Sequence, residues 1–469
     1  MLNLWRIQVA LRRTDKQPRE LSALALAAML CQLPALGEEK STVKTEAADS
    51  AKSSPAAAAP KESAGSAEFE KQLNAGLNAL KEGKAALAEQ YLKSTLKLEE
   101  AQGASEIKRL KVMILLADLY RAARRYPEAE ALYKQVLAKY NKNESAPELA
   151  ALLSKLAGLY KSGGRLDEAL ELYKKALEVS EKQQGPESAA AATSHANLAL
   201  LYFKMGKAKD GELEENNAIA LFNKKLGLDS AETAQCKFDL ATEYMAEHKI
   251  QKAIPLLEEA LAIFSKNSQY ELSCATCADE LGTAYTSEGR YKEAEDLARK
   301  AMAIYQKRLG PQSLELAVTL SNLGYRLASQ GKNQEALESY NKSIAIQEKA
   351  LGPDSTDLLA NLHGIAEVYV QQLEYKKAEA ILRRDLALRQ KRWGEKNPGL
   401  VPAMKNLANC LVLEGAAGGE SELLFSKAES ILAELPAAKR KTLDELLAKD
   451  ILKGLDISTK KSKKQMQVW

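Results

Sequence analysis

The phrase LGPDSTD at residues 351–357 echoes LGPQSLE at residues 309–315, 42 residues earlier (351 − 309). A chain that rewrites one phrase at a fixed period is constrained to be a stack of equivalent units, because no single unit can bury its apolar face alone. Gly185, Gly227, Gly310, Gly352 and Gly394 keep the register with spacings of 42, 83, 42 and 42, so one period lacks its Gly and is one residue short. Each Gly can take the left-handed conformation that stops a helix, and Pro186, Pro311 and Pro353 block continuation. Three residues after each Gly stand Ser188, Ser230, Ser313, Ser355 and Asn397, whose side-chain oxygens can cap a following helix. Pro398 after Asn397 fits a first helical position. The phrase therefore reads as a helix stop followed by a helix start.

Between these marks each unit reads as two helices. A small residue recurs at Gly76, Ala117, Ala157, Ala199, Ala241, Gly282, Gly324, Ala366 and Ala408, and a second at Ala88, Ala129, Ala169, Gly211, Ala253, Ala294, Ala336 and Ala378. Helices approach closely only where side chains are nearly absent, so the two sets predict one contact per pair. An aromatic follows the first small residue by three at Tyr120, Tyr160, Tyr202, Tyr244, Tyr285 and Tyr369, with Leu327 and Leu411 in the other units named. Gly164, Gly206, Gly289 and Gly331 mark the turn between helices. Aromatics at 6% and only 13 prolines agree with Ala/Leu-rich helices rather than β-sandwich strands.

This pattern of small residue, Tyr, turn Gly and second-helix Ala resembles the tetratricopeptide repeat family over residues 69–433, in about nine units. The LGPDS linker and WGEKNP at 393–398 resemble the long-period variant of kinesin light chains. The resemblance implies an all-α fold, a right-handed α-solenoid superhelix of stacked helix-turn-helix units. Ala79 replaces the Tyr in the first unit, Gly211 and ENNAIALF depart in the fourth, and the ninth reads as carrying an eight-residue insertion before Ala428. Residues 434–455, with the amphipathic stretch KTLDELLAKDILKGL, are expected to cap the apolar end, and 456–469 to form a basic tail.

The N-terminus has another character. Residues 1–37 place basic residues, the run LSALALAAMLCQLPALG and the small residues Ala35 and Gly37 in the order of a signal peptide. The expectation is export to a periplasmic or extracellular location, the alternatives being an uncleaved membrane anchor and a mitochondrial transit peptide. Membrane contact is expected only through that segment. Residues 38–68 are polar, of low complexity and too poor in apolar area to offset chain entropy, and read as a disordered tether.

Net charge is +4, with basic clusters at the two ends (Arg12 and Arg13; Lys460, Lys461, Lys463 and Lys464). The body between them is close to neutral, which argues against nucleic acid as a partner. His195, His248 and His363 fall at unrelated positions of their units and form no catalytic or ligand set. Cys274 and Cys277 spell CATC, a lone pair with no second CxxC, while Cys236 and Cys277 share one helix position in adjacent units, as packing residues would. No phosphate loop, nucleophile elbow or zincin helix occurs. The reading is not an enzyme, with no catalytic residue, cofactor or metal.

The resemblance implies that first helices line a concave groove, with contact residues just before and after the first small position. Two before it lie Lys155, Asn197, Asp239, Glu280, Asn322 and Asn406; one after lie Asp118, Thr242, Thr283, Tyr325, Glu367 and Asn409. Amides both donate and accept, which suits the backbone of an extended peptide. The candidate peptide-binding set is Lys155, Asn197, Asp239, Glu280, Asn322, Tyr325, His363, Glu367, Lys405, Asn406 and Asn409. The expected function is a protein-interaction scaffold with a protein or peptide partner. The alternatives are a peptide-responsive regulatory receptor and a thiol-exchange protein using CATC.

Overall fold

The computed structural model describes residues 64–102, 106–140, 148–416, 418–436 and 440. The expected leader, nearly all of the tether, most of the capping segment and the basic tail lie outside the described residues. The chain divides between Leu228 and Asp229 into two compact bodies, each taken by itself.

The first body holds four helix pairs: α1 (Ala64–Lys81) with α2 (Ala85–Gln102), α3 (Glu106–Ala122) with α4 (Tyr126–Tyr140), α5 (Leu149–Ser162) with α6 (Leu166–Gln184), and α7 (Ala189–Lys204) with α8 (Ala208–Leu226). Helix α1 begins at Ala64, inside the stretch read as tether. The second body holds five: α9 (Ala231–Ala246) with α10 (Ile250–Phe264), α11 (Glu271–Ser287) with α12 (Tyr291–Leu309), α13 (Leu314–Ser329) with α14 (Asn333–Leu351), α15 (Leu359–Gln371) with α16 (Tyr375–Trp393), and α17 (Val401–Leu413) with α18 (Glu420–Ala433). Among the described residues there is no strand, and no helix is long and apolar enough to cross a membrane. Within each body, successive pairs stack as an α-solenoid.

The recurring phrase does what its residues dictate. Ser188, Ser230 and Ser313 cap α7, α9 and α13 by accepting from the backbone N–H of Ala191, Thr233 and Leu316 at 3.1, 3.1 and 3.3 Å. Ser355 and Asn397 instead cap one-turn 3-10 segments that lead into α15 and α17. Asn267 caps such a turn in the period that lacks its Gly. The linker glycines differ from expectation in one respect. Gly185 (φ 90°, ψ 154°) and Gly310 (φ 89°, ψ 169°) are not left-handed helical but extended at positive φ, a region open only to Gly, so the chain straightens between units instead of curling back.

Small positions sit where helices touch. Ala117, Ala129, Ala157 and Ala169 are fully buried in the first body, as are Ala241, Ala253, Ala366 and Ala378 in the second. The ninth unit corrects the sequence reading. Ser421 is 1% exposed and Ala428 fully buried, seven residues apart, the same spacing as buried Ala378 and Asp385 in the eighth unit. Ser421 is therefore the second small position, 13 residues after Ala408 (421 − 408) against 12 in the eighth unit (378 − 366). The insertion is one residue, not eight, and Ser was overlooked because it is polar; its hydroxyl is satisfied by donating to the carbonyl of Gly418.

At the intra-unit turn, three units place a non-glycine residue at positive φ: Arg124 (59°), His248 (61°) and Leu373 (61°). His248 is thereby a turn residue. Leu373 is 70% exposed, so it returns little packing energy for its strain. Leu373→Gly is expected to stabilise the second body by about 0.5–1 kcal/mol, read as a higher denaturant midpoint.

Adjacent units are also latched by a contact that the sequence reading missed. Glu89 on α2 accepts from the Tyr120 hydroxyl (3.0 Å) and pairs with Arg125 (2.8 Å), whose guanidinium lies 4.1 Å from the Tyr120 ring centroid. Glu130 repeats this with Tyr160 and Arg165. In the second body Glu295 holds the equivalent place, but Leu327 replaces the Tyr, and Lys332, Gln330 and Arg299 surround the carboxylate instead. Burial pushes the Glu295 pKa up, yet hydrogen bonds from Lys332, Gln330 and Arg299 outweigh it and hold the carboxyl at about 2. A depressed folded pKa contributes stability that is present above the unfolded value of 4.5 and lost as the pH falls towards 2. The latch is thus expected to contribute up to about 3 kcal/mol at neutral pH. Denaturant melts from pH 6 to 2 should show a steeper acid loss for the native chain than for Glu295→Gln; parallel curves would contradict this.

Candidate functional site

The first helices α3, α5, α7, α9, α11, α13 and α15 each present a partly polar stripe around the first small position. Register across units is fixed by one ion pair. Lys155, two before Ala157, donates to Asp118 Oδ2 at 2.6 Å, and Asp118 stands one after Ala117 in the preceding unit. Asp118 is buried and also accepts from the Tyr133 hydroxyl of α4. At this junction, then, the residue two before the small position meets the residue one after it in the unit before. Lys155 is partly buried, and Asn197 is partly buried on α7.

In the second body, Asp239 is partly buried on α9 and accepts from Gln235 Nε2 at 2.9 Å; Glu280 is partly buried on α11. Asn322 donates from Nδ2 to Asp279 Oδ2 at 3.2 Å. Beneath that contact lies Arg326, 1% exposed, which donates to the Asp279 carbonyl (3.0 Å), Asp279 Oδ1 (3.2 Å), Thr283 (3.2 Å) and Thr286 (3.3 Å). A Cβ on Gly282 would sit 2.9 Å from the Arg326 guanidinium, so Gly at this small position makes room for the buried cation. Tyr325, His363 and Glu367 are partly buried on α13 and α15. Burial raises the Tyr325 phenol pKa, and the Glu367 charge adds to the rise.

Two of the candidates do not lie on an open face, while a third, Lys405, is partly buried and ion-paired as Lys155 is. Asn406 and Asn409 are 5% and 8% exposed, and Lys405 pairs with Glu429 of α18 at 2.9 Å. The reason is that α17 is buried on every side over residues 406–411, whereas the polar amides suggested an amphipathic helix with a wet face. Of the set expected to cluster in the last three units, Asn322, Tyr325, His363, Glu367 and Lys405 are partly accessible.

His195 Nδ1 contacts Glu214 Oε2 at 2.6 Å between α7 and α8, and His363 sits on α15. Cys277 is buried and donates to the Leu257 carbonyl at 3.3 Å. Cys274 borders a cleft of about 370 Å³ lined by Phe264, Asn267, Glu271, Ile304 and Lys307. Burial pushes both thiols above their ordinary value, the opposite of the thiolate that exchange needs. Among the described residues, no group of three His, Cys, Asp or Glu side chains is placed to hold a metal ion.

Family models described as "Tetratricopeptide repeat" match residues 148–210, 273–349 and 327–391 in one case and 112–147 in another. The solved apo form of RapI is 18% identical, covering 78% of this chain and 98% of that one, with a TM-score of 0.54. A signal transduction ATPase with numerous domains and a tetratricopeptide repeat sensor, from Pyrococcus horikoshii, is 14% identical, covering 79% of this chain and 56% of that one, also at 0.54. BtubC (BKLC) from P. vanneervenii is 24% identical over 52% of this chain and 92% of that one, with a TM-score of 0.41. No curated protein matches the chain.

Proposed function

Because the chain belongs to the tetratricopeptide repeat family, we propose that it is a non-enzymatic scaffold whose first-helix face binds an extended segment of a protein partner. The observation that carries this reading is the half-polar first-helix face within each body, where Asn197 in the first and Asp239, Glu280, Tyr325 and Glu367 in the second stay partly accessible while residues beside them are locked into the stack. Fixed donors and acceptors on packed helices bind an extended backbone at low ordering cost. Cross-linking of the full-length chain in its native host, with mass spectrometry of what is captured, tests this. A partner that is lost when Asp239, Glu280 and Tyr325 become Ala supports the reading. Identical partner lists would place binding elsewhere on the chain.

A regulatory receptor is the second reading, favoured by the polar junction of α11 and α13. Asn322 there shares Asp279 with Arg326, so a ligand that draws Asn322 away loosens an inter-unit contact. A ligand-dependent change in small-angle scattering separates a receptor from a static scaffold. The same proposal includes export, which rests on the order of basic, apolar and small residues in 1–37. N-terminal sequencing of the protein from its host tests it.

A further inference from the structure

The second helices of the second body carry a basic array that the scaffold reading does not use. Lys300 on α12, Lys342 on α14 and Arg384 on α16 hold one repeat position, 42 residues apart (342 − 300 and 384 − 342). Lys307, Lys349 and Lys391 hold a second, seven residues further along the same helices (307 − 300). All six are exposed except Arg384, which is partly buried. Contacts fix the order of the helices: Arg384 pairs with Glu348 of α14, and Lys332 at the start of α14 pairs with Glu295 of α12 at 2.9 Å. Seven residues advance a helix by about 10 Å, and packed helix axes stand about 8–10 Å apart, so the cations spread in two directions rather than in single file.

The centre of the array keeps its charge. A second latch recurs through the repeats, in which a base near the end of a second helix pairs with an acid 37 residues earlier, at or just before the start of the unit's first helix. It joins Lys224 to Glu187, Lys266 to Asp229, Arg308 to Glu271 and Lys391 to Asp354. At the same spacing before Lys349 stands the uncharged Gln312 (349 − 312). Lys300, Lys342 and Lys349 have no ion pair among the described residues. The exposed acids Asp296 and Glu338 stand one turn before the first row, at its edge. No large exposed apolar side chain lies on α12, α14 or α16, so this face attracts by charge alone.

An extended acidic segment meets one row of such an array, whereas lipid headgroups present anionic groups in two directions as the cations do. Each lysine close to an anionic lipid surface adds about fivefold to binding. The apolar run within residues 21–37 would bring the chain to a membrane either as export signal or as anchor. We infer that the face formed by α12, α14 and α16 docks on an anionic membrane surface, with Lys300, Lys342 and Lys349 as its principal contacts. This face is distinct from the first-helix face assigned to the protein partner, and the inference does not depend on that assignment.

The test is sedimentation of the full chain with vesicles of phosphatidylcholine alone and of phosphatidylcholine with about a third phosphatidylglycerol. Anionic vesicles are expected to carry down more protein than neutral ones, which report what residues 21–37 bind by themselves. Lys300→Gln, Lys342→Gln and Lys349→Gln together should weaken binding to the anionic vesicles about tenfold or more, and the loss should shrink at high salt. Lys174→Gln, Lys175→Gln and Lys209→Gln together, which remove the same charge from exposed positions of α6 and α8, should leave binding within about twofold. Equal loss in both triple variants would mean attraction by net charge and overturn the docking face. No preference for anionic vesicles would overturn it as well. Binding that survives the first triple variant and disappears on removal of residues 456–469 would assign the contact to the lysine-rich tail instead. A Glu–Gly peptide that binds the native chain and not the first triple variant, while vesicles bind neither, would make the occupant an acidic protein segment and overturn the membrane assignment.

Discussion

Arg326→Ala is expected to destabilise the second body by about 3–5 kcal/mol, the range for removing one partner of a buried ion pair. The guanidinium is 1% exposed and bonds Asp279, Thr283 and Thr286, three residues of the preceding unit's first helix. Its loss leaves Asp279 without its cation and opens a cavity against Gly282. Because units in a solenoid unfold locally as well as together, hydrogen exchange along α11 and α13 is the proper readout. Protection should fall there first. Arg326→Met, which refills much of the volume, should still cost more than a conservative core exchange, since Asp279 keeps its bond from Asn322 but loses its cation. If Arg326→Ala melts with the native chain, the network is not an inter-unit brace.

The second large effect is at Tyr340. Its ring is wedged between two glycines: a Cβ on Gly324 would lie 2.8 Å from its ring carbons, and one on Gly364 closer still. Tyr340→Ala should cost about 3–5 kcal/mol as a large cavity between α13, α14 and α15. Tyr340→Phe keeps the ring and should fold nearly as the native chain does. Exchange rates in α13 to α15, compared among the three proteins, check the ordering. A Phe variant as unstable as the Ala variant would show that the hydroxyl, not the ring, holds the junction.

These two residues show where the sequence was legible and where it was not. Small residues, caps and turn glycines act within a few residues of themselves, so their spacing locates the helix pairs, except that in the ninth unit the polar Ser421 hid the second small position. Ser188, Ser230 and Ser313 cap as their position demands. Contacts between units span about one period, and their meaning depends on what the neighbour supplies. The Glu89, Tyr120 and Arg125 latch was invisible for that reason, although an acid after the second small position and a base after the turn could have signalled it. Arg326 has the same cause, because a single Arg on a first helix reads as a wet residue until Gly282 is seen beneath it.

The binding candidates divide along the same line. Position within a unit put Asn197, Asp239, Glu280, Tyr325 and Glu367 on partly accessible faces. It failed for Asn406 and Asn409, since burial of α17 on all sides depends on its packing neighbours rather than on its own polarity. Asn322 lies between the two cases, positioned on the face yet bonded to Asp279.

The central claim is that the first-helix face holds the partner. The most direct measurement places a photo-cross-linking residue, one at a time, at Asn197 and Glu280 on first helices and at Lys174 and Glu338 on exposed second-helix faces, in the full chain in its native host. The account predicts a shared protein adduct from Asn197 or Glu280 that neither Lys174 nor Glu338 yields. An adduct formed from the second-helix positions and absent from both first-helix positions would contradict it.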